Sequence, residues 1–195
     1  MRARMAIRKS GIEIELREVD LKNKPAAMLQ ASPKATVPVL IHQNSIIEES
    51  LDIMLWALQQ SDPDSWLIKL RLDEINSLIR FNDNIFKIHL DHYKYSDRFP
   101  QQSPASYREK GEEFLQRLEA RLNTHTFLLG SEPCLADIAL FPFIRQFAFV
   151  DIKWFENSPY QKLKQWLQYW LESDLFISIM KKYPVWHEDQ QPLIF

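Results

Sequence analysis

Strand-forming sequence in this chain stops at one place, the break Ser61-Asp62-Pro63-Asp64, where N-cap residues surround a proline. Before it, residues 1–10 have helix-forming composition and run into Gly11, a helix stop. Ile12, Ile14 and Leu16 then alternate with Glu13, Glu15 and Arg17, which predicts a half-buried strand over residues 12–19. A short helix follows over residues 25–29 and ends near Ser32-Pro33. A strand over residues 37–42, a turn at Gln43-Asn44-Ser45 and a strand at Ile46-Ile47-Glu48 read as an antiparallel hairpin. A helix over residues 50–60 closes this half. After the break no strand pattern recurs. The fold class predicted is an α/β domain over residues 1–61 and an all-helical domain over residues 64–195.

The second half reads as helices throughout. Residues 64–94 give one long helical pattern, with Leu67, Leu70, Leu78, Ile85 and Ile88 as core positions. Ser103-Pro104 starts a second helix to about Leu122, with Phe114, Leu115, Leu118 and Leu122 on one stripe. Leu135 to Val150 is apolar nearly all round, which marks a fully buried helix, with Pro142 kinking it. Asp137 stands three residues into that helix and is placed to return a hydrogen bond to its cap, Cys134. A thiol is a weak acceptor, so this cap is expected to be degraded. Shorter helices follow over residues 159–182, with Trp166, Leu167, Trp170 and Leu171 facing inward.

Composition excludes several functions. One cysteine rules out an intramolecular disulfide and fits a reducing compartment. A net charge of −2 gives no reason to expect nucleic acid or an anionic membrane as partner. No apolar run approaches the length of about 20 residues needed to cross a bilayer. The basic start Met1-Arg2-Ala3-Arg4-Met5 lacks the apolar core of a signal peptide. These features predict a cytoplasmic protein. His89 and His92 share a helix face but have no third ligand nearby, so no metal site is assigned.

The candidate binding residues flank the hairpin. Pro38 lies at the start of the strand over residues 37–42, and an X–Pro bond reaches the cis form at a cost of only about 0.5–1 kcal/mol. A cis bend there turns the Val37 N–H and C=O outward, where an extended peptide can pair with them. Glu49 and Ser50 fall at the start of the next helix, whose free N–H groups and partial positive charge suit a carboxylate. Glu49 itself suits an ammonium group. Together these residues fit a small peptide with an α-amino-acid head, such as glutathione.

Three motifs in this order resemble the cytosolic glutathione transferase superfamily: Thr36-Val37-Pro38-Val39-Leu40 with Glu49-Ser50, then Leu135-Ala136-Asp137-Ile138-Ala139, and the opening Arg2-Ala3-Arg4-Met5-Ala6. The opening run is similar to bacterial and omega-like members. The resemblance covers nearly the whole chain and implies a thioredoxin-like first domain and a helical second one. It implies that Val37 pairs with the cysteinyl part of glutathione, that Pro38 is cis, and that Glu49 and Ser50 hold the γ-glutamyl end, with Lys34 a weaker candidate for the glycyl carboxylate. It also implies glutathione as co-substrate, a small hydrophobic or disulfide second substrate, and a homodimer built across the first domain's last helix and the long helix after it. Phe81, Phe86 and Tyr93 are the candidates for the second substrate's pocket. Members begin with a strand that leads to a catalytic Cys, Ser or Tyr, whereas this sequence opens inside the following helix. The expectation is therefore a sheet without its first strand and no catalytic side chain in the chain given. The alternative is a non-catalytic binding protein on the same fold.

Overall fold

The computed structural model describes residues 1–195, which divide into two compact units. The first comprises Met1–Asp64 together with Asp174–Phe195, and the second Ser65–Ser173. The expected division gave everything after the break to the helical part. The last 22 residues instead join the first unit, because α10 (Asp174–Ile179) packs on α1 (Arg2–Ser10) and the tail pairs with residues 14–18.

In the first unit, α1 ends at Gly11, whose φ of 70° lies in the left-handed region that glycine adopts without strain. Its inward face, Met5, Ala6 and Ile7, packs against α3 (Ser50–Gln60), which supplies Ile53, Met54, Ala57 and Leu58. A six-residue helix α2 (Ala26–Ala31) leads to the hairpin of β1 (Leu40–His42) and β2 (Ser45–Ile47). The strands are antiparallel in the register Leu40↔Ile47, Ile41↔Ile46 and His42↔Ser45. Gln43 turns the chain with a φ of 53°. The hairpin matches the expected pair, with the first strand trimmed to Leu40–His42 and the second shifted one residue earlier, to Ser45–Ile47.

The strand expected over residues 12–19 is not part of this sheet. Its alternation survives: Ile12, Ile14 and Leu16 are half-buried while Glu13, Glu15 and Arg17 are exposed. Its backbone, however, pairs with the chain's own tail. Ile14 and Phe195 exchange bonds of 3.5 and 2.9 Å, the Leu16 N–H donates to the Leu193 carbonyl at 2.8 Å, and the Trp186 N–H donates to the Glu18 carbonyl at 2.8 Å. Alternation specifies an extended segment with one inward face. It does not specify which backbone lies alongside.

In the second unit the expected helix over residues 64–94 is broken. A 3₁₀ turn at Lys69–Arg71 precedes α4 (Leu72–Phe81), a π-helical segment at Asn82–Phe86, and α5 (Lys87–Lys94). The π segment takes more residues per turn and so rotates the phase of everything after it. Ile75, Leu78, Ile79, Phe86, Leu90 and Tyr93 face the core. Ile85 and Ile88, expected there, are 43% and 50% exposed, and Leu70 on the 3₁₀ turn is 99% exposed. Helix α6 (Pro104–Leu122) begins where its sequence predicts, with the Ser103 hydroxyl accepting from the Ser106 N–H at 3.2 Å. Helices α7 (Leu135–Ala148), α8 (Ile152–Asn157) and α9 (Gln161–Glu172) complete the unit. No helix is long and apolar enough to cross a membrane.

The start of α7 departs from the expected weak cap. The fully buried Asp137 carboxylate accepts four hydrogen bonds: from the Leu128 N–H (3.0 Å), the Cys134 N–H (3.0 Å), the Cys134 thiol (3.2 Å) and the Trp166 indole N–H (2.8 Å). The thiol acts as a donor to the carboxylate, so the cysteine reinforces the junction it was expected to weaken. Burial pushes the Cys134 thiol up out of its usual range, and it stays protonated.

Candidate functional site

The five candidate residues all lie around the open end of the hairpin. Val37-Pro38 enters β1 there, and Glu49-Ser50 leaves β2 there. Continuing the register beyond Leu40↔Ile47 sets Val39 opposite Glu48 and Pro38 opposite Glu49. The hairpin is thus the device that draws two separated motifs to one place.

The Val37–Pro38 peptide is cis. Val37 is 48% exposed, and its N–H and C=O make no hydrogen bond within the unit. Glu49 is the N-cap of α3 in an extended conformation, and its carboxylate does not cap the helix. The Glu49 carbonyl already accepts from the Ile53 N–H at 3.0 Å, so the amides of Ser50, Leu51 and Asp52 are the open ones in the first turn. Glu49 is exposed and Ser50 half-buried.

Lys34 is paired with two carboxylates. Its ammonium lies 3.2 Å from Glu48 Oε2 and 3.7 Å from Glu49 Oε1. The Ser32 hydroxyl donates to Glu48 Oε1 at 2.6 Å. Ser32 and then Lys34 hold the Glu48 carboxyl below the usual carboxylate range, and Glu48 in turn raises Lys34. Because the Glu48 value is depressed, this cluster's contribution is complete above the ordinary carboxylate pKa and is lost as pH falls through the lowered value.

A groove of about 530 Å³ adjoins this cluster, lined by Lys34, Ile46, Glu48, Glu49, Asp52 and Trp56 among others. Lys34 and Glu49 line it; Val37, Pro38 and Ser50 do not. Trp56 packs against His42 with ring centroids 5.1 Å apart and ring planes tilted by 56°. Asp52, Trp56 and Gln59 were missed from the sequence. Their spacing, together with Leu55, is that of one helical face, and this was the signal available. Three carboxylates against one ammonium give the groove an acidic character.

In the second unit the three aromatic candidates separate. Phe81 lines a groove of about 630 Å³ with Ile85, Phe114, Arg80, Arg117 and Arg121. Phe86 and Tyr93 do not reach it. Both are buried against Phe147, with centroids 5.3 and 5.1 Å away, because the π segment turns them inward. His92 packs on the rings of Phe99 and Tyr107, and His89 is half-buried beside it on α5.

Comparison with known proteins bears on both units. Residues 1–65 match the family model described as glutathione S-transferase, N-terminal domain, and residues 81–174 match glutathione S-transferase, C-terminal domain. Glutathione S-transferase U19 of Arabidopsis thaliana is 29% identical over 94% of this chain and 84% of its own length. A probable glutathione transferase of Aplysia californica is 34% identical over 45% of this chain and 89% of its own. These relatives come from a plant and a mollusc, where the opening helix had suggested bacterial and omega-like members. Among solved structures, glutathione transferase F2 of Populus trichocarpa superposes with a TM-score of 0.76 at 16% identity, covering 92% of this chain and 91% of that one. A bacterial transferase, BphK, gives a TM-score of 0.75 at 21% identity, covering 91% and 90%. The cis proline motif, the uncapped helix start, the buried Asp137 junction and these matches agree, and the chain belongs to the glutathione S-transferase family.

Proposed function

We propose that this protein binds glutathione at the open end of the hairpin and is a transferase that uses it on a small hydrophobic electrophile or a disulfide. The observation that carries the reading is the unpaired backbone of Val37 beside the open first turn of α3. In this arrangement the Val37 N–H and C=O pair with the cysteinyl residue as an added strand. The α3 amides and the Ser50 hydroxyl take the γ-glutamyl carboxylate, and Glu49 takes its ammonium. Pro38 fixes the bend that presents Val37. Lys34 is the residue for the glycyl carboxylate, and in that role it exchanges its contact with Glu49 for the ligand.

Ser50→Ala tests this directly. The variant is expected to lose roughly tenfold or more in glutathione affinity, since a hydrogen bond to a charged group contributes about 1.5–3 kcal/mol. Retention on immobilised glutathione and calorimetric titration read the change. Equal affinity in the variant would overturn the assignment. The second reading is a binding protein without turnover on the same fold; in either reading the sole thiol, Cys134, is buried and is not the nucleophile. Glutathione binding without conjugation of an aryl halide or reduction of a mixed disulfide would select that reading.

We also propose a homodimer. The first unit's groove is acidic, through Glu48, Glu49 and Asp52, and the second unit's is basic, through Arg80, Arg117 and Arg121. Opposite charges on the two grooves favour association with a second copy of the chain. Light scattering is expected to give twice the chain mass, and Arg80→Glu with Arg117→Glu to shift it toward the monomer. A monomeric wild-type protein would contradict this.

A further inference from the structure

The loop that carries Lys34 is closed on itself. The Ala35 N–H donates to the Ser32 carbonyl at 3.0 Å, so residues 32–35 form a turn. Ala35 takes a φ of 54°, in the left-handed region that a residue with a Cβ enters only under constraint. The turn folds Lys34 back toward Glu48, the residue that follows β2. The two oxygens of Glu48 have separate partners. Oε1 accepts from the Ser32 hydroxyl at 2.6 Å, and Oε2 lies 3.2 Å from the Lys34 ammonium. Ser32 is fully buried and the Glu48 side chain is 24% exposed, whereas the Lys34 side chain is 57% exposed. Glu48 is therefore the fixed member of the cluster, and Lys34 is the member it holds.

Lys34 also lies 3.7 Å from Glu49 Oε1. Two carboxylates surround one ammonium, so the neighbourhood of Lys34 is negative on balance. The two differ in freedom. The Glu49 side chain is 67% exposed, and in the proposed complex it turns to the ligand's ammonium. Glu48 is tied to Ser32 and stays. A glycyl carboxylate arriving at Lys34 thus meets an ammonium that a fixed carboxylate already occupies.

We infer that Glu48 is a specificity-determining residue: by competing for Lys34, it suppresses the site's preference for a free glycyl carboxylate and admits glutathione derivatives whose glycyl end is a neutral ester or amide. This inference rests on the reading that glutathione lies at the open end of the hairpin. Glu48 acts through Lys34, as a positioning residue, with Ser32 fixing it in turn. The contacts at Val37, Glu49 and Ser50 are common to glutathione and such a derivative, so they cancel when the two are compared.

Calorimetric titration of the full chain with reduced glutathione and with its glycyl monoethyl ester tests the assignment. The wild-type protein is expected to bind the two within about twofold of each other. Glu48→Gln keeps an acceptor for the Ser32 hydroxyl and removes the charge that faces Lys34. In this variant glutathione is expected to gain about fivefold over the ester, the effect of one unit charge at such a separation in water. Adding Lys34→Met to Glu48→Gln is expected to return the ratio to that of the wild type. A tenfold preference for glutathione in the wild type, an unchanged ratio in Glu48→Gln, or a gain that survives Lys34→Met would each overturn this inference while leaving glutathione binding in place. No saturable binding of either ligand by the wild type would overturn the reading of the site, and this inference with it. Circular dichroism confirms that both variants are folded.

Discussion

Asp137→Ala is expected to lower the unfolding free energy of the helical unit by about 3–5 kcal/mol, the largest effect of any single substitution considered. The carboxylate is the acceptor for two backbone amides, an indole and a thiol, all buried. Alanine leaves the Leu128 and Cys134 amides and the Trp166 indole without partners, at about 1–3 kcal/mol for each unsatisfied group. Asp137→Asn separates the two halves of the site. Its carbonyl keeps the Leu128 and Trp166 bonds, while its amide meets the Cys134 donors, so a smaller loss is expected. Burial raises the Asp137 pKa and the four donors only partly pull it back. The folded state therefore holds its proton to higher pH than the unfolded chain does. Stability contributed by this group falls as pH rises from the ordinary carboxylate value through the raised one. The asparagine variant should lose that slope. Urea unfolding of both variants across this range measures all three effects.

Gly111→Ala is the second large effect, and its sign is unusual. In most helix interiors this change stabilises by up to about 1 kcal/mol. Here a Cβ on Gly111 would stand 2.4 Å from Cε2 and 2.9 Å from Cζ of Phe147. Phe147 cannot withdraw, since its ring packs against Phe86, Tyr93 and Trp154. Overpacking of this kind costs about 1–3 kcal/mol, which outweighs the helix-propensity gain. A net loss on thermal unfolding is expected. Partial rescue by Phe147→Leu would locate the clash at that ring, whereas a stabilised Gly111→Ala would show that the helices part more easily than this packing implies.

The sequence was most legible where the signal is local. The span of α3 from Ser50 to Gln60, the Ser103-Pro104 start of α6 and the Gly11 stop of α1 depend on caps and periodicity, and all three appear as expected. The Asp137 junction was half legible. Its return bond to Cys134 follows from spacing, but the Leu128 and Trp166 donors come from 9 and 29 residues away. Long-range pairing was not legible at all. The Ile14–Leu16 backbone could be read as extended, while its partner, Leu193–Phe195, lies at the other end of the chain. The second helical stripe failed for a local reason with a concealed cause, since a π segment at Asn82–Phe86 leaves no mark in composition yet moves Ile85 and Ile88 to the surface. Of the candidate site, the sequence showed which residues flank the hairpin. It did not show that Lys34 is already held by Glu48 and Glu49, a contact that depends on how the loop folds back.

The central claim is that glutathione lies along Val37 and the first turn of α3. Titrating glutathione into isotopically labelled protein and following the backbone amides tests it most directly. Saturable shifts are expected at Val37, Ser50, Leu51 and Asp52. Saturable binding that leaves those four amides in place, or no saturable shift anywhere in the first unit, would contradict it.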